Sequence, residues 1–247
     1  MSALRDNSRI PTPMSQVTTI SFFRFDGLRA RAWALWMMGA GRSPMARVPG
    51  IRFWKLCGSG GGVGFTPRIN IDVIAILATW DDADTAATQT QTAPIFKRYA
   101  ARAAESWTIH LTTNSVRGQW AGQAPFSVSN TNHIGPIGVL TRATIKPKVL
   151  RRFWGRVPDI SDRIAADPNV LFKIGIGETP LFQQVTFSLW PDAASIHNFA
   201  RTGHHAEAIK SVRADGWFRE ELYARFTLQS QTGSWADTDI PTRLDAA

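Results

Sequence analysis

The chain has 247 residues, of which 44% are hydrophobic, 11% aromatic and 19% charged. This composition is typical of a globular protein with a large core, and it excludes a disordered chain. No uninterrupted apolar run reaches about 18 residues, so the sequence predicts no transmembrane helix, and any membrane contact is expected to be peripheral.

The formal net charge of +9 limits the possible partners. The basic residues are spread among core-type residues and form no tail or stripe, so we do not expect nucleic-acid binding. An anionic lipid surface and a merely solvated basic face explain the charge equally well. The polar first 16 residues do not resemble a secretory signal, and the single cysteine, Cys57, fits a reducing cytoplasmic compartment.

In chain order, the first part of the sequence alternates strand and helix patterns. A β-branched and aromatic strand is followed by a helix with apolar residues at helical spacing, two further strands and a closing helical region broken near Pro94. The predicted ranges are Thr18–Phe25, Gly27–Met38, Ile51–Cys57, Ile71–Trp80 and Asp84–Glu105.

The second part repeats this order. Pro147 suits the first turn of its helix, and Asp192, like Asp82 before it, follows a strand-ending tryptophan as a helix start. The predicted ranges are Val139–Ile145, Pro147–Arg156, Val170–Ile176, Gln183–Trp190 and Ala193–Asp215.

Matched residues support an internal duplication. Arg24, Trp36 and Lys55 recur 118 positions later as Arg142, Trp154 and Lys173. Trp80, Asp82 and Trp107 recur 110 positions later as Trp190, Asp192 and Trp217. The change of spacing is explained by an insertion at the glycine-rich run Gly58–Gly64 in the first copy. That run lacks the Lys-Ser/Thr pair of a phosphate-binding loop, so we interpret it as a flexible loop.

A β-α-β-β-α unit with a possible final strand is the ferredoxin-like pattern. We therefore predict an α+β fold in which duplicated ferredoxin-like units form an intramolecular dimeric α+β barrel, with an apolar space between the two sheets. The predicted organisation is a disordered lead (1–16), a first unit (17–122), a linker (123–136), a second unit (137–228) and a C-terminal tail (229–247).

Several segments resemble the spheroidene monooxygenase family over about Ser21 to Phe226. The segments are Ser21–Phe25 (SFFRF), Phe53–Gly60 (FWKLCGSG), Gly64–Pro67 (GFTP), Ala75–Trp80 (AILATW), Arg156–Ile160 (RVPDI), Asp167–Glu178 (DPNVLFKIGIGE) and Gly216–Phe226 (GWFREELYARF). The resemblance implies a monooxygenase of carotenoid biosynthesis in photosynthetic bacteria that installs a keto group at C-2 of acyclic carotenoids such as spheroidene and hydroxyspheroidene. It also implies the use of O2, a haem iron cofactor and electrons from reduced ferredoxin.

A haem iron needs an axial ligand, usually His, Cys or Tyr. His205 is our first candidate, because at helical spacing it shares a face with Ile209 and Val212, whereas His204 is rotated away. The alternatives are that His205 is an exposed helix-start histidine without a ligand, or that a thiolate of Cys57 binds the iron.

Four cations complete the candidate site. Arg24, Lys55, Arg142 and Lys173 are expected to project into the cavity, where Arg24 and Lys55 bind the haem propionates and Arg142 and Lys173 orient bound O2. The alternative is that these side chains extend to solvent.

Two functional hypotheses follow. The first is an oxygenase on the cytoplasmic side of the inner photosynthetic membrane, peripherally attached, that draws in the end of a lipophilic carotenoid. The second is a non-catalytic carotenoid or haem carrier with the same barrel fold.

Overall fold

A computed structural model of the chain describes residues 15–60, 69–129, 135–155, 169–179, 181–201 and 216–235. The strands are β1 (Val17–Arg24), β2 (Ile51–Gly60), β3 (Ile69–Trp80), β4 (Glu105–Gly118), β5 (Ile137–Ile145), β6 (Phe172–Gly177), β7 (Gln183–Trp190) and β8 (Phe218–Gly233). The helices are α1 (Leu28–Ala40), α2 (Arg42–Met45), α3 (Ala83–Thr92), α4 (Pro94–Ala100) and α5 (Ala193–Arg201), with a 3-10 turn at Pro147–Val149.

The eight strands form one closed antiparallel barrel in the order β1-β3-β2-β6-β7-β5-β8-β4. The two halves meet along a long seam between β4 and β8 and a short one between β2 and β6. Each half is a β-α-β-β-α-β unit, so the predicted α+β barrel is confirmed. A closed barrel leaves no free sheet edge, which removes the usual template for aggregation.

Alternation along each strand separates a luminal face from an outer face. Phe22, Trp107, Phe172 and Phe187 point inward and form the centre of the luminal core. Their ring centroids lie 4.9 to 6.5 Å apart, which is contact distance. Aromatic side chains therefore fill the space that the sequence analysis expected to be open between two sheets.

The helices lie on the outside of the barrel. In the first half, α1, α3 and α4 cover the outer face of the sheet with a second apolar cluster that contains Met37, Phe96 and Tyr99. Asp82 caps α3 by accepting a hydrogen bond from the Thr85 N–H, and the carboxylate of Asp192 accepts from Ser195 N–H at the start of α5. Both aspartates are thus helix-start residues, as predicted.

Two predicted boundaries fall inside ordered, packed structure. β8 continues past residue 228 to Gly233, and its last residues pair with Trp107 and Thr108 of β4. The predicted linker contributes Phe126, which is buried in the lumen against Phe226. Closing the barrel therefore uses residues on both sides of the boundary predicted at residue 228.

Strand registers revise the matched residues of the duplication. Trp80 faces Val17 across β1 and β3, and Trp190 faces Ile137 across β5 and β7, so these pairs are equivalent. The same registers make Phe22 the counterpart of Arg142, Thr144 that of Arg24, and Ile174 that of Lys55. The predicted matches of Arg24 with Arg142 and of Lys55 with Lys173 are therefore wrong, although the duplication itself is evident in the topology.

Candidate functional site

Two of the predicted cations, Lys55 and Arg142, meet inside the lumen. Lys55 Nζ lies 5.9 Å from the ring centroid of Trp120, and the Arg142 guanidinium carbon lies 5.7 Å from it. Trp120 is fully buried, and Lys55 Nζ is also 5.3 Å from the ring of Phe53. Both cations thus contact the same indole, at distances that allow cation–π attraction.

Each of these cations has a carboxylate partner. Lys55 pairs with Glu178 at 3.0 Å, and Glu178 also accepts a hydrogen bond of 2.7 Å from the Trp120 indole N–H. Arg142, whose side chain is only 1% exposed, pairs with Glu220. The cluster therefore contains two buried or half-buried ion pairs and one tryptophan, and its formal charges cancel.

A tight turn after β4 carries Trp120 into the barrel. Gly118 ends β4 at φ +88°, where a Cβ would collide with the backbone of Glu221, so only glycine fits there. The backbones of Trp120 and Gln123 exchange two hydrogen bonds, and the residues between them, Ala121 and Gly122, have positive φ. Positive φ at both central residues defines a type I′ turn.

Glu220 connects this turn to Arg142. Its carboxylate accepts hydrogen bonds from the N–H groups of Ala121 and Gly122, at 3.0 and 2.7 Å. Burial by itself raises the pKa of Glu220. The two N–H groups and the guanidinium together lower the pKa by more than burial raises it, so the net shift is downward. An ionised Glu220 thus fixes both the turn and Arg142.

One polar atom of the cluster has no partner. Arg142 Nε is buried and makes no hydrogen bond within the part of the chain that the structure describes. A buried unpaired donor is costly, and the desolvation of buried ion pairs often outweighs their attraction. The cluster is therefore weak evidence for stability and stronger evidence for a specific arrangement of the lumen.

Cys57 also faces the lumen and is fully buried. Burial first, and the charge of Glu178 second, raise the pKa of the thiol, while Lys55 and Arg142 oppose the shift only in part. Cys57 is therefore a neutral thiol in the apolar lumen. Because the aromatic rings of the lumen are already in contact, they leave no slot for a haem, which disfavours Cys57 as the axial ligand.

Two further predicted residues, Arg24 and Lys173, do not join this cluster. Arg24 lies at the end of β1 and pairs with Glu105 at 2.9 Å. Lys173 alternates with Phe172 and Ile174, which pack inward, so it lies on the outer face of β6, against the expectation that it projects into the lumen. His205, with His204, falls in 202–215 and lies outside the described residues.

The side chains on the outer faces of the two halves differ in size and polarity. The positions that hold Trp54, Leu56, Ile74 and Ile76 in the first half hold Lys173, Gly175, Gln184 and Thr186 in the second. In the first half these apolar side chains pack under helices. In the second half the replacements are small or polar. The outer face of this sheet, on which α5 packs, is therefore less apolar, and at Gly175 and Thr186 it carries smaller side chains.

Sequence reasoning missed three residues that organise the lumen. Trp120 lies in no predicted strand or helix, and Glu178 and Glu220 stand only within segments that resemble the family. A signal for Trp120 does exist, since the Gln-Trp-Ala-Gly-Gln run is a turn with an aromatic residue at its first position. Its contacts with Lys55 and Arg142 connect residues far apart in the chain and are visible only in the fold.

Comparison with solved structures agrees with the fold. An aldoxime dehydratase superposes with a TM-score of 0.60 at 9% identity, covering 91% of this chain and 86% of that one. A second aldoxime dehydratase, in complex with butyraldoxime, gives a TM-score of 0.59 at 9% identity, with 89% and 81% covered. At such identities the likeness shows a shared fold alone.

Sequence comparison identifies the family, although no family model matches the chain. The spheroidene monooxygenase of Rhodobacter capsulatus is 47% identical over 227 residues, which covers 90% of this chain and 94% of that protein. That of Cereibacter sphaeroides is also 47% identical, with 91% and 70% covered, and that of Rubrivivax gelatinosus is 32% identical, with 83% and 80% covered. Identity of this extent, spread over both halves of the barrel, places the chain in the spheroidene monooxygenase family.

Proposed function

We propose that the chain is an O2-dependent monooxygenase that oxidises spheroidene and hydroxyspheroidene at C-2 to their 2-keto products, spheroidenone in the first case. The observation that carries this proposal is the 47% identity to two proteins named spheroidene monooxygenase over about nine-tenths of the chain. The chemistry requires two hydroxylations of one carbon. Each consumes one O2, two electrons and two protons and releases one water, and the resulting geminal diol loses water to give the ketone.

The proposed cofactor is haem, which when bound supplies the activation of O2 with electrons from reduced ferredoxin. Haem requires a flat slot, an axial ligand and cations for its two carboxylates. The lumen does not fit a group of that size, because its aromatic rings are already in contact. The outer face of the second half fits better, since Thr141, Gly175 and Thr186 form a row of small residues across β5, β7 and β6.

Lys173 lies on the same outer face one row away, opposite Ser188, and α5 packs on this side through Ile196. We keep His205 as the proposed ligand of the haem iron; it follows α5 in sequence and lies outside the described residues. Lys55 and Arg142 point into the lumen and pair with Glu178 and Glu220, and Arg24 pairs with Glu105 at the end of β1. We therefore propose that Lys55 and Arg142 support the barrel wall from inside and that none of these three cations contacts haem.

The substrate and the location of the enzyme belong to the same proposal. An acyclic carotenoid is a long apolar polyene, and it has to come from a membrane. Within the described residues, no helix is long and apolar enough to cross a bilayer. We propose a position on the cytoplasmic side of the photosynthetic membrane, attached peripherally, with a ferredoxin as electron donor.

A reconstitution experiment tests the function. Purified full-length protein is supplied with haem, reduced ferredoxin, O2 and spheroidene, and the pigment is extracted and analysed by mass and absorption. We expect a keto-carotenoid that absorbs at longer wavelength, and none when O2 is withheld. Recovery of unchanged spheroidene from a pigment-bound, haem-loaded protein would refute the oxygenase and support the carrier.

A further inference from the structure

Helix α1 has two apolar faces. Ala34 and Met37 are buried against the first half of the sheet, together with the half-buried Trp33. On the opposite side, Leu28 is 83% exposed, Leu35 54% and Trp36 63%. Helical surface residues of soluble proteins are usually polar on the side that faces water, so this outer face calls for a partner.

The exposed residues form one continuous stripe. Leu28, Leu35, Trp36 and the exposed Ala32 and Gly39 occur at helical spacings of three and four residues, which places them side by side. Arg29 and Arg31 lie along the two edges of this stripe. Residues 28–47, which comprise α1, α2 and the turn after it, contain four arginines and no carboxylate.

Three of these arginines point to solvent. Arg29, Arg42 and Arg47 are exposed, whereas Arg31 pairs with Asp72 at 2.8 Å. Arg29 thus lies at one edge of the apolar stripe, Arg42 and Arg47 follow in and after α2, and no carboxylate within residues 28–47 neutralises them, the exposed Asp26 preceding the helix. Leucine and tryptophan flanked by arginine is the composition of helices that lie in the plane of a membrane surface, and tryptophan is favoured at the headgroup level.

The second half shows that the fold does not require such a face. The 3-10 turn Pro147–Val149 and the helical residues 150–155 occupy the equivalent place after β5. There Leu150, Phe153 and Trp154 pack into a cluster with Trp217. The side chains left exposed in that segment include Lys148, Arg151 and Arg152. Within residues 147–155, the described part of the equivalent segment, no large apolar side chain is exposed in the way that Leu35 and Trp36 are.

We propose that α1 is a membrane-docking helix, which lies in the headgroup region of an anionic bilayer with Leu28, Leu35 and Trp36 inserted. Arg29, Arg42 and Arg47 then bind lipid phosphates. This inference rests on the proposed function in one respect, namely that a carotenoid dissolved in a bilayer gives the enzyme a reason to dock there. The docking chemistry itself depends only on the stripe and its charges.

Vesicle co-sedimentation tests the proposal without any turnover. Full-length protein is mixed with vesicles of phosphatidylcholine alone, or of phosphatidylcholine with phosphatidylglycerol. The insertion variant is Leu35→Gln/Trp36→Gln, and the charge variant is Arg29→Gln/Arg47→Gln. The matched controls are Val128→Gln, an exposed apolar residue elsewhere, and Lys148→Gln/Arg151→Gln, the charges of the equivalent segment.

We expect salt-sensitive binding to the vesicles that contain phosphatidylglycerol and little to the neutral ones. Loss of two interfacial arginines weakens partitioning about thirtyfold, from about 1 kcal/mol for each charge, and the insertion variant weakens it at least tenfold, while both controls bind like the unmodified chain. The substituted side chains are exposed, so all variants are expected to unfold at the same temperature.

Three results would overturn the proposal. The first is equal vesicle binding by the α1 variants and the unmodified chain, and the second is no binding by the unmodified chain. The third is a dimer, or a complex with an acidic ferredoxin, that the insertion variant alone abolishes, because the stripe then belongs to a protein partner. An assay of ketone formation from detergent-dispersed spheroidene separates the two proposals. We expect the insertion variant to form the ketone as the unmodified chain does. If neither the unmodified chain nor any variant forms the ketone, the proposed function is refuted, but the vesicle result is unaffected.

Discussion

Replacing Glu220 by glutamine removes the charge that holds Arg142 and the Trp120 turn. The Arg142 side chain is 1% exposed and that of Glu220 is 22% exposed, so the guanidinium is left in the lumen without its carboxylate. Breaking a fully buried pair costs about 3–5 kcal/mol. Glutamine keeps an acceptor oxygen for the turn, and Glu220 is partly hydrated, so we expect the free energy of unfolding to fall by about 2–3 kcal/mol.

Urea unfolding followed by tryptophan fluorescence measures this change. Glu221→Gln is the matched control, because Glu221 is adjacent in sequence but lies on the outer face of β8, and a change within about 0.5 kcal/mol is expected there. A double-mutant cycle with Arg142→Met isolates the pair. The double variant should be more stable than the sum of the single changes predicts, by about 1–3 kcal/mol.

The same comparison has a pH dependence. The folded-state pKa of Glu220 is lowered from its usual 4.5, so its contribution is fully present above that pH and is lost as the pH falls through the folded pKa. The difference in unfolding free energy between the unmodified chain and Glu220→Gln should therefore shrink below about pH 4.5. Additive single changes in the cycle, or a difference that does not vary with pH, would refute the assigned ion pair.

Three further predictions concern single residues. His205→Ala should abolish the Soret band of haem-loaded protein while His204→Ala keeps it, and an unchanged spectrum in the first variant would remove His205 from the site. Ala121→Gly should raise the free energy of unfolding by about 0.5–1 kcal/mol, because Ala121 has a φ of 53°, which glycine adopts without strain. Ala101→Gly is the control, because Ala101 has an ordinary helical φ, and it should lower the free energy of unfolding. A change of the same sign in both variants would contradict the reasoning. The Cys57 thiol should resist iodoacetamide at pH 8 until denaturant is added, because burial raises its pKa; rapid labelling of the folded chain would show that it is accessible and ionised.

The sequence alone determined the class and order of the secondary structure. Strand and helix periodicities are local properties, so both copies of the unit and the helix-start roles of Asp82 and Asp192 could be predicted from neighbouring residues. The family was recognisable for the same reason, because its motifs are contiguous runs. Residue matches at a fixed spacing were less secure. The observed registers make Phe22, and not Arg24, the counterpart of Arg142, since the connections between strands differ in length between the two halves.

Only the tertiary structure decided which faces of the strands meet. A one-residue difference in register moves a side chain from lumen to outer face, and this is why Lys55 lies inside the barrel while Lys173 lies outside it. The contact of Trp120 with Lys55 and Arg142 depends on the turn that carries Trp120 into the barrel. The row of small side chains at Thr141, Thr186 and Gly175 depends on the pairing of three strands in register. Such contacts join residues distant in sequence, so barrel closure, and no local pattern, determines them.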